Sequence, residues 1–145
     1  MRRDIPSWVE AVLEWRATWW LARLALSSAY ILGGVTKLLD FPAAVAEQEH
    51  FGLHPGWIWA ALSIVIELLG PLLILTGRWV WLGAGALGVL TAIASFVANN
   101  FWDMQGLVRF QATNTFFEHI GLIAGFVFVA LIASRDQRNP SQLDF

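Results

Sequence analysis

One carboxylate, Glu67, sits midway along an apolar run of about twenty residues, a length that spans the hydrocarbon core of a bilayer. A charge at that depth is expensive, so it is expected to face a bundle interior and mark a site. Lys37, Asn99, Asn100, Glu118 and His119 lie near the ends of the other apolar runs, all toward one side of the membrane; Arg23 lies toward the other. Such a set can bind a ligand and move protons. The imidazole of His119 can exchange a proton near neutral pH, and Lys37, Asn99 and Asn100 can donate hydrogen bonds to a carbonyl. A pocket with Glu67 at an apolar floor, carbonyl donors and a carboxyl–histidine pair suits a quinone head group. It would also suit a polar lipid or a small cation. Pro71 has no N–H to give the carbonyl of Glu67, and Gly70 loosens the same turn. The spacing therefore predicts a kink with a free backbone oxygen beside the carboxyl group, to be answered by another helix or a water. Plainer readings stand beside these. Lys37 can snorkel to the headgroups, His119 can bond a neighbouring helix, Glu118 can be a carboxylate favoured at a helix start, and Asn99-Asn100 can mark a helix end.

The elements that must hold these groups follow from hydropathy. Apolar stretches run from Trp19 to Leu39, Trp57 to Thr76, Trp79 to Ala98 and Phe116 to Ser134. The 145-residue chain is 57% hydrophobic and 14% charged, with mean hydropathy +0.59. A soluble domain of this size could not hide so much apolar surface. The expected class is an all-α membrane protein: a four-transmembrane-helix bundle with an N-terminal interfacial amphipathic helix. Residues 1–18 form the interfacial segment, 19–134 the transmembrane domain and 135–145 a short cytoplasmic tail. The run after Arg2 and Arg3 is too long and too rich in tryptophan for a cleaved signal peptide. With so little chain outside the bilayer, any chemistry lies between the helices, in short loops or on a partner. The absence of cysteine excludes disulfides, thiol catalysis and thiolate metal sites. No basic run points to nucleic acid.

Charge and aromatic residues set a frame. Arg2, Arg3, Arg16, Arg23, Arg78, Arg135 and Arg138 gather at one end of the spans, against Lys37 and Arg109 at the other, which predicts cytoplasmic termini. Trp15, Trp19, Trp20, Trp79 and Trp81 would line the inner interface, and Trp57, Trp59 and Trp102 the outer one. Trp8, Val12, Trp15 and Trp19 recur at helical spacing, so a helix over about Pro6–Ala17 is expected on the inner surface, in contact with membrane lipids, or as an extension of the first span. Small residues four apart (Ala25, Ala29, Gly33; Ala84, Gly88, Ala92; Gly121, Gly125) predict close helix seams, within one chain or between copies. The turn Gly77-Arg78 makes the second and third spans antiparallel neighbours. Ala43–His50 can form a short helix in the first connection; residues 99–115 carry no clear periodicity. A haem reading is poor, because only His119 lies in a span, and Glu47, Glu49, His50 and His54 offer at most a weak metal site.

The order of motifs resembles the DoxX family of small four-helix membrane proteins. It runs from Arg23-Leu24-Ala25-Leu26 and Gly33-Gly34-Val35-Thr36-Lys37 with Asp40-Phe41, through Gly52-Leu53-His54-Pro55, Ile66-Glu67-Leu68-Leu69-Gly70 and Leu75-Thr76-Gly77-Arg78. It ends on Phe101-Trp102 and Phe117-Glu118-His119 with Gly121 and Gly125. The resemblance implies a bacterial inner-membrane protein in a family whose relatives include small subunits of thiosulfate:quinone oxidoreductases and members of oxidative-stress complexes. It implies recurrent polar positions at Arg23, Lys37, Glu67, Glu118 and His119. Asn99-Asn100 stands where a histidine is expected before the Phe-Trp pair, which favours a binding or structural role over direct proton or electron chemistry. The leading expectation is a membrane subunit of a redox system with a quinone or similar lipid-soluble molecule in an outward-facing pocket, alongside partner subunits or further copies. The alternatives are a non-catalytic assembly subunit and a small proton-coupled transporter. Whether the chain catalyses anything alone is not decided by its residues.

Overall fold

A computed structural model describes residues 5–138, with backbone only for 137 and 138. Arg2 and Arg3 of the inner-face basic group, and the tail from residue 139, lie outside the described residues. The described chain is helical and contains no strand: α1 (Ser7–Glu14), α2 (Arg16–Leu39), α3 (Phe41–His50), α4 (Gly56–Thr76), α5 (Val80–Ala98) and α6 (Gly106–Arg138), with one 3-10 turn at Phe101–Asp103. The long helices α4, α5 and α6 are each long and apolar enough to cross a membrane. The 24-residue α2 reaches that measure only together with α3, from which it is bent by 108°. The cause is the polar content of α2: Arg23, Ser27, Tyr30 and Lys37 share one face with Gly34.

Local chemistry sets the breaks. The carboxylate of Asp40 accepts from the backbone N–H of Ala43 at 3.1 Å and Pro42 occupies the first turn, so α3 starts anew where α2 ends. The start of α4 lies directly under α3, where a Cβ at Gly56 would stand 2.7 Å from the carbonyl oxygen of Val45. Gly77, at φ +72°, ends α4 in the left-handed conformation that glycine alone adopts without strain. The helix α4 continues through the buried Pro71 to Thr76. The expected Pro6–Ala17 helix is shorter, because Trp15 is extended at ψ 126° and separates α1 from α2. The side chains of Trp8, Val12, Leu13 and Trp15 on this segment are exposed.

The expected loop at 99–115 is corrected. After the 3-10 turn, α6 begins at Gly106 and runs 33 residues, about 50 Å at 1.5 Å per residue, well beyond a hydrocarbon core of about 30 Å. Its first turns carry Arg109, Gln111, Thr113 and Asn114, so hydropathy gives no signal there, yet no proline or glycine interrupts the helix between Gly106 and Gly121. Phe96, Phe101, Trp102 and Phe116 pack at 5.3–6.2 Å, edge to face except for the tilted Phe96–Trp102 pair, and fix the turn against α5 and α6.

In the bundle α4 packs against α2 on one side and α5 on the other; α6 lies on α5 and touches α2 lightly. The apolar core sits at the Gly77 end, where Ile74, Val80, Ala84, Leu87, Phe126 and Ala133 interlock. Two glycine contacts draw the helices together. A Cβ at Gly34 would lie 2.8 Å from Leu68 Cδ2, joining α2 to α4; one at Gly83 would lie 2.6 Å from the carbonyl oxygen of Gly70, joining α5 to α4. Among the expected seam glycines, Gly33 and Gly125 make close approaches, whereas Gly88 and Gly121 have nothing within 4 Å.

Candidate functional site

The tight packing at the Gly77 end relaxes along α4 and α5, and a cavity of about 280 Å³ opens toward their other ends. Its walls come from α4 (Trp59, Leu62, Ser63, Ile66, Glu67) and α5 (Val89 to Ala98), with Lys37 from α2. Glu47 and Gln48 of α3, with Phe51 and Leu53 after it, roof the space. Polar groups are few: Lys37, Glu47, Gln48, Ser63 and Glu67. The hydroxyl of Ser63 donates to the carbonyl of Ala60 at 3.0 Å.

The floor is an ion pair. Lys37 Nζ donates to Glu67 Oε1 at 2.6 Å, with the two side chains 22% and 10% exposed. The other oxygen, Oε2, is buried without a hydrogen-bond partner. It lies over the backbone of α2, where a Cβ at Gly33 would stand 3.3 Å away. The glycine pair Gly33-Gly34 thus forms the bed on which the carboxylate rests; a larger residue at either position would push Glu67 off α2. One ammonium N–H is committed to Glu67, which leaves Lys37 two further donors for a ligand oxygen.

The other sequence-expected residues are distributed elsewhere. Arg23 lies at the opposite end of α2, where Nη1 donates to the carbonyl of Ile74 at 3.1 Å and the guanidinium sits 4.6 Å over the ring of Trp19. It holds the last turn of α4, an interhelical answer to a carbonyl one turn beyond Pro71. Its Nε is buried without a partner. Replacement of Arg23 by leucine is therefore expected to lower stability by about 1–2 kcal/mol, from one lost charge-assisted hydrogen bond, while ligand affinity changes less than twofold. Denaturant unfolding in mixed micelles, paired with a binding titration, checks both halves.

His119 is on α6, which packs mainly on α5 and only lightly on α2, and does not line the cavity. Its Nδ1 lies 2.8 Å from Ser95 Oγ, whose proton goes to the carbonyl of Thr91 at 2.7 Å. In that arrangement Ser95 accepts from the Nδ1–H tautomer of His119. Thr91 in turn meets the hydroxyl of Tyr30 and donates to the carbonyl of Leu87 at 2.7 Å. This ladder ties α2, α5 and α6 together. Glu118 is exposed and lies three turns inside α6, too far from the helix start to draw on its dipole. Asn100 donates to Asp103 Oδ2 at 3.3 Å in the turn, and Asn99 caps the end of α5; neither lines the cavity. Among the described residues no three His, Asp or Glu side chains are grouped to hold a metal ion.

Sequence reasoning missed Glu47 and Gln48 as cavity residues, because the 108° bend that brings α3 over the cavity has no signature in hydropathy, and Trp59 because it reads as an interfacial tryptophan. It also missed Tyr30, although Arg23, Ser27, Tyr30, Gly34 and Lys37 follow a heptad spacing that marks one face.

Comparison with known proteins agrees with this architecture. The chain is similar to the inner membrane protein YphA of Escherichia coli (strain K12), 22% identical over 111 residues that cover 77% of this chain and 79% of that protein. No solved structure gives a significant match. The model of the DoxX family matches residues 18–100, more than half of the chain and the stretch that carries Gly33-Gly34, Lys37, Glu67 and the cavity walls: the protein is a multi-pass membrane protein that belongs to the DoxX family.

Proposed function

We propose that this DoxX-family protein is a bacterial inner-membrane subunit of a redox system, with cytoplasmic termini, whose cavity holds the head group of a quinone or similar lipid-soluble molecule. The observation that carries the reading is the Lys37–Glu67 pair at the floor of an otherwise apolar cavity inside a membrane bundle. Lys37 offers hydrogen-bond donors to a ring carbonyl, and Glu67 fixes that ammonium in place and can accept from a ring hydroxyl. Phe51 and Trp59 supply aromatic surface for the ring. His119 is occupied by Ser95, so head-group contact rests on Lys37 and Glu67. The similarity to an inner membrane protein of Escherichia coli supports the compartment, and the arginines at the Gly77 end support the orientation.

A second reading, an assembly subunit without ligand chemistry, draws on α1, whose Trp8, Val12 and Leu13 are exposed on a helix that the bundle leaves uncovered. Purification in mild detergent followed by solvent extraction separates the two. The pocket reading expects a quinone in near-stoichiometric amount from the native protein and at least tenfold less from Glu67→Gln. Absence of any quinone from the native protein, or equal recovery from the variant, removes it.

A further inference from the structure

The walls of the cavity are also part of the outer surface of the bundle. Leu62 on α4 and Val89 and Ile93 on α5 line the cavity, yet they are 46%, 61% and 44% exposed. They lie in the interiors of membrane-spanning helices, so the medium they are exposed to is lipid. A cavity whose wall residues face lipid is bounded on that side by a cleft between two helices. The cleft cannot continue toward the other end, because Gly70 and Gly83 bring α4 and α5 into backbone contact there and Leu87 packs on Gly70. The α2 side is shut by Gly34 against Leu68. The roof is closed by α3, with Glu47 and Gln48.

We propose that the site is loaded sideways from the bilayer, between α4 and α5, and that its occupant is a single-ring molecule with a long apolar tail. This rests on reading the cavity as a quinone-type pocket and adds its route of access and the shape of its ligand. The volume of about 280 Å³ is at the small end of ligand pockets, room for one substituted ring and not for an extended chain as well. The polarity gradient orients the guest. The Lys37–Glu67 pair holds the polar end deep inside, and the apolar end leaves past Leu62, Val89 and Ile93 into acyl chains that solvate it without a further binding surface. The three side chains at the cleft are thereby specificity residues: they admit a linear tail and reject a second bulky ring.

The test uses the full chain in nanodiscs and a decyl-tailed benzoquinone carrying a diazirine at the tail terminus. Photolysis and peptide mass spectrometry are expected to place the adduct on the α4 and α5 segments that hold Leu62, Val89 and Ile93. The double variant Val89→Trp/Ile93→Trp fills the cleft with indoles at lipid-facing positions that tolerate them, and it is expected to bind the quinone at least tenfold more weakly. Leu62→Trp repeats the block from α4, and Ala46→Trp, at an exposed position of α3 that does not line the cavity, is expected to change affinity less than twofold. Helical content and a single gel-filtration peak confirm that each variant is folded. Native-like binding by both cleft variants, or adducts confined to the α3 roof, overturns the lateral route while the pocket stands. No binding by the native chain overturns the pocket itself, and the route with it.

Discussion

Replacing Lys37 by methionine is expected to lower the stability of the bundle by about 3 kcal/mol, the lower part of the range for breaking a buried ion pair. Glu67 is 8% exposed, and Lys37 is the group that answers its Oε1; Oε2 already has no partner. Without the ammonium the carboxylate would be left in an apolar wall, and its desolvation would be uncompensated. The cost is kept to the lower part because Lys37 is 22% exposed and part of the pair's field reaches the cavity mouth. Glu67→Gln alone is expected to be milder, since an amide removes the charge and keeps the shape. The double variant Lys37→Met/Glu67→Gln should recover most of the loss, with a coupling energy of about 2 kcal/mol in a double-mutant cycle. Reversible unfolding in mixed micelles measures all four corners. Strict additivity would mean that the two groups do not sense each other. Saturation with the ligand at about a hundred times its Kd should raise native stability by about 2.7 kcal/mol and leave the double variant unmoved.

The second large effect is expected at a residue without a side chain. Gly34→Val should lower stability by about 2–3 kcal/mol and abolish ligand binding together, as overpacking at a helix seam does. A Cβ there would lie 2.8 Å from Leu68 Cδ2, 2.9 Å from its Cγ and 3.1 Å from the Cβ of Glu67. The leucine tip can swing aside, but the Cβ of Glu67 is fixed to the backbone of α4, so α2 and α4 must separate. Lys37 travels with α2 and Glu67 with α4, so a gap at Gly34 lengthens the ion pair one turn away. Gly88→Val serves as the control, because nothing stands within 4 Å of that position. Equal melting temperatures for the two variants would contradict the seam.

How much of this was legible in the residues depends on punctuation. The second and third spans, expected from Trp57 and Trp79, are found from Gly56 and Val80, because Pro55 and the Gly77 turn bound the apolar runs sharply. The fourth, expected from Phe116, begins at Gly106, because a polar amphipathic stretch adds helix without adding hydropathy. Glu67 was legible as a site residue from its depth, but its pairing with Lys37 was not, because Lys37 lies near the end of its run and reads equally well as a lysine snorkelling to the headgroups. His119 lies near the end of its run as Lys37 does, yet its helix packs mainly on α5 and its side chain does not reach the cavity; helix order in a bundle is not written in hydropathy. Seam glycines were readable only where they recur. Gly70 and Gly83 fall outside any run of small residues four apart read from the sequence, yet they bring α4 and α5 into backbone contact.

The central claim is that a lipid-borne ring rests on the Lys37–Glu67 pair. A crystal structure grown in lipidic mesophase with a tailed benzoquinone tests it most directly. The account predicts ring density within hydrogen-bond distance of Lys37 Nζ, about 2.7–3.2 Å, with the tail leaving between Leu62 and Val89. Ring density elsewhere on the bundle, with acyl chains packed against the carboxylate of Glu67, would contradict it.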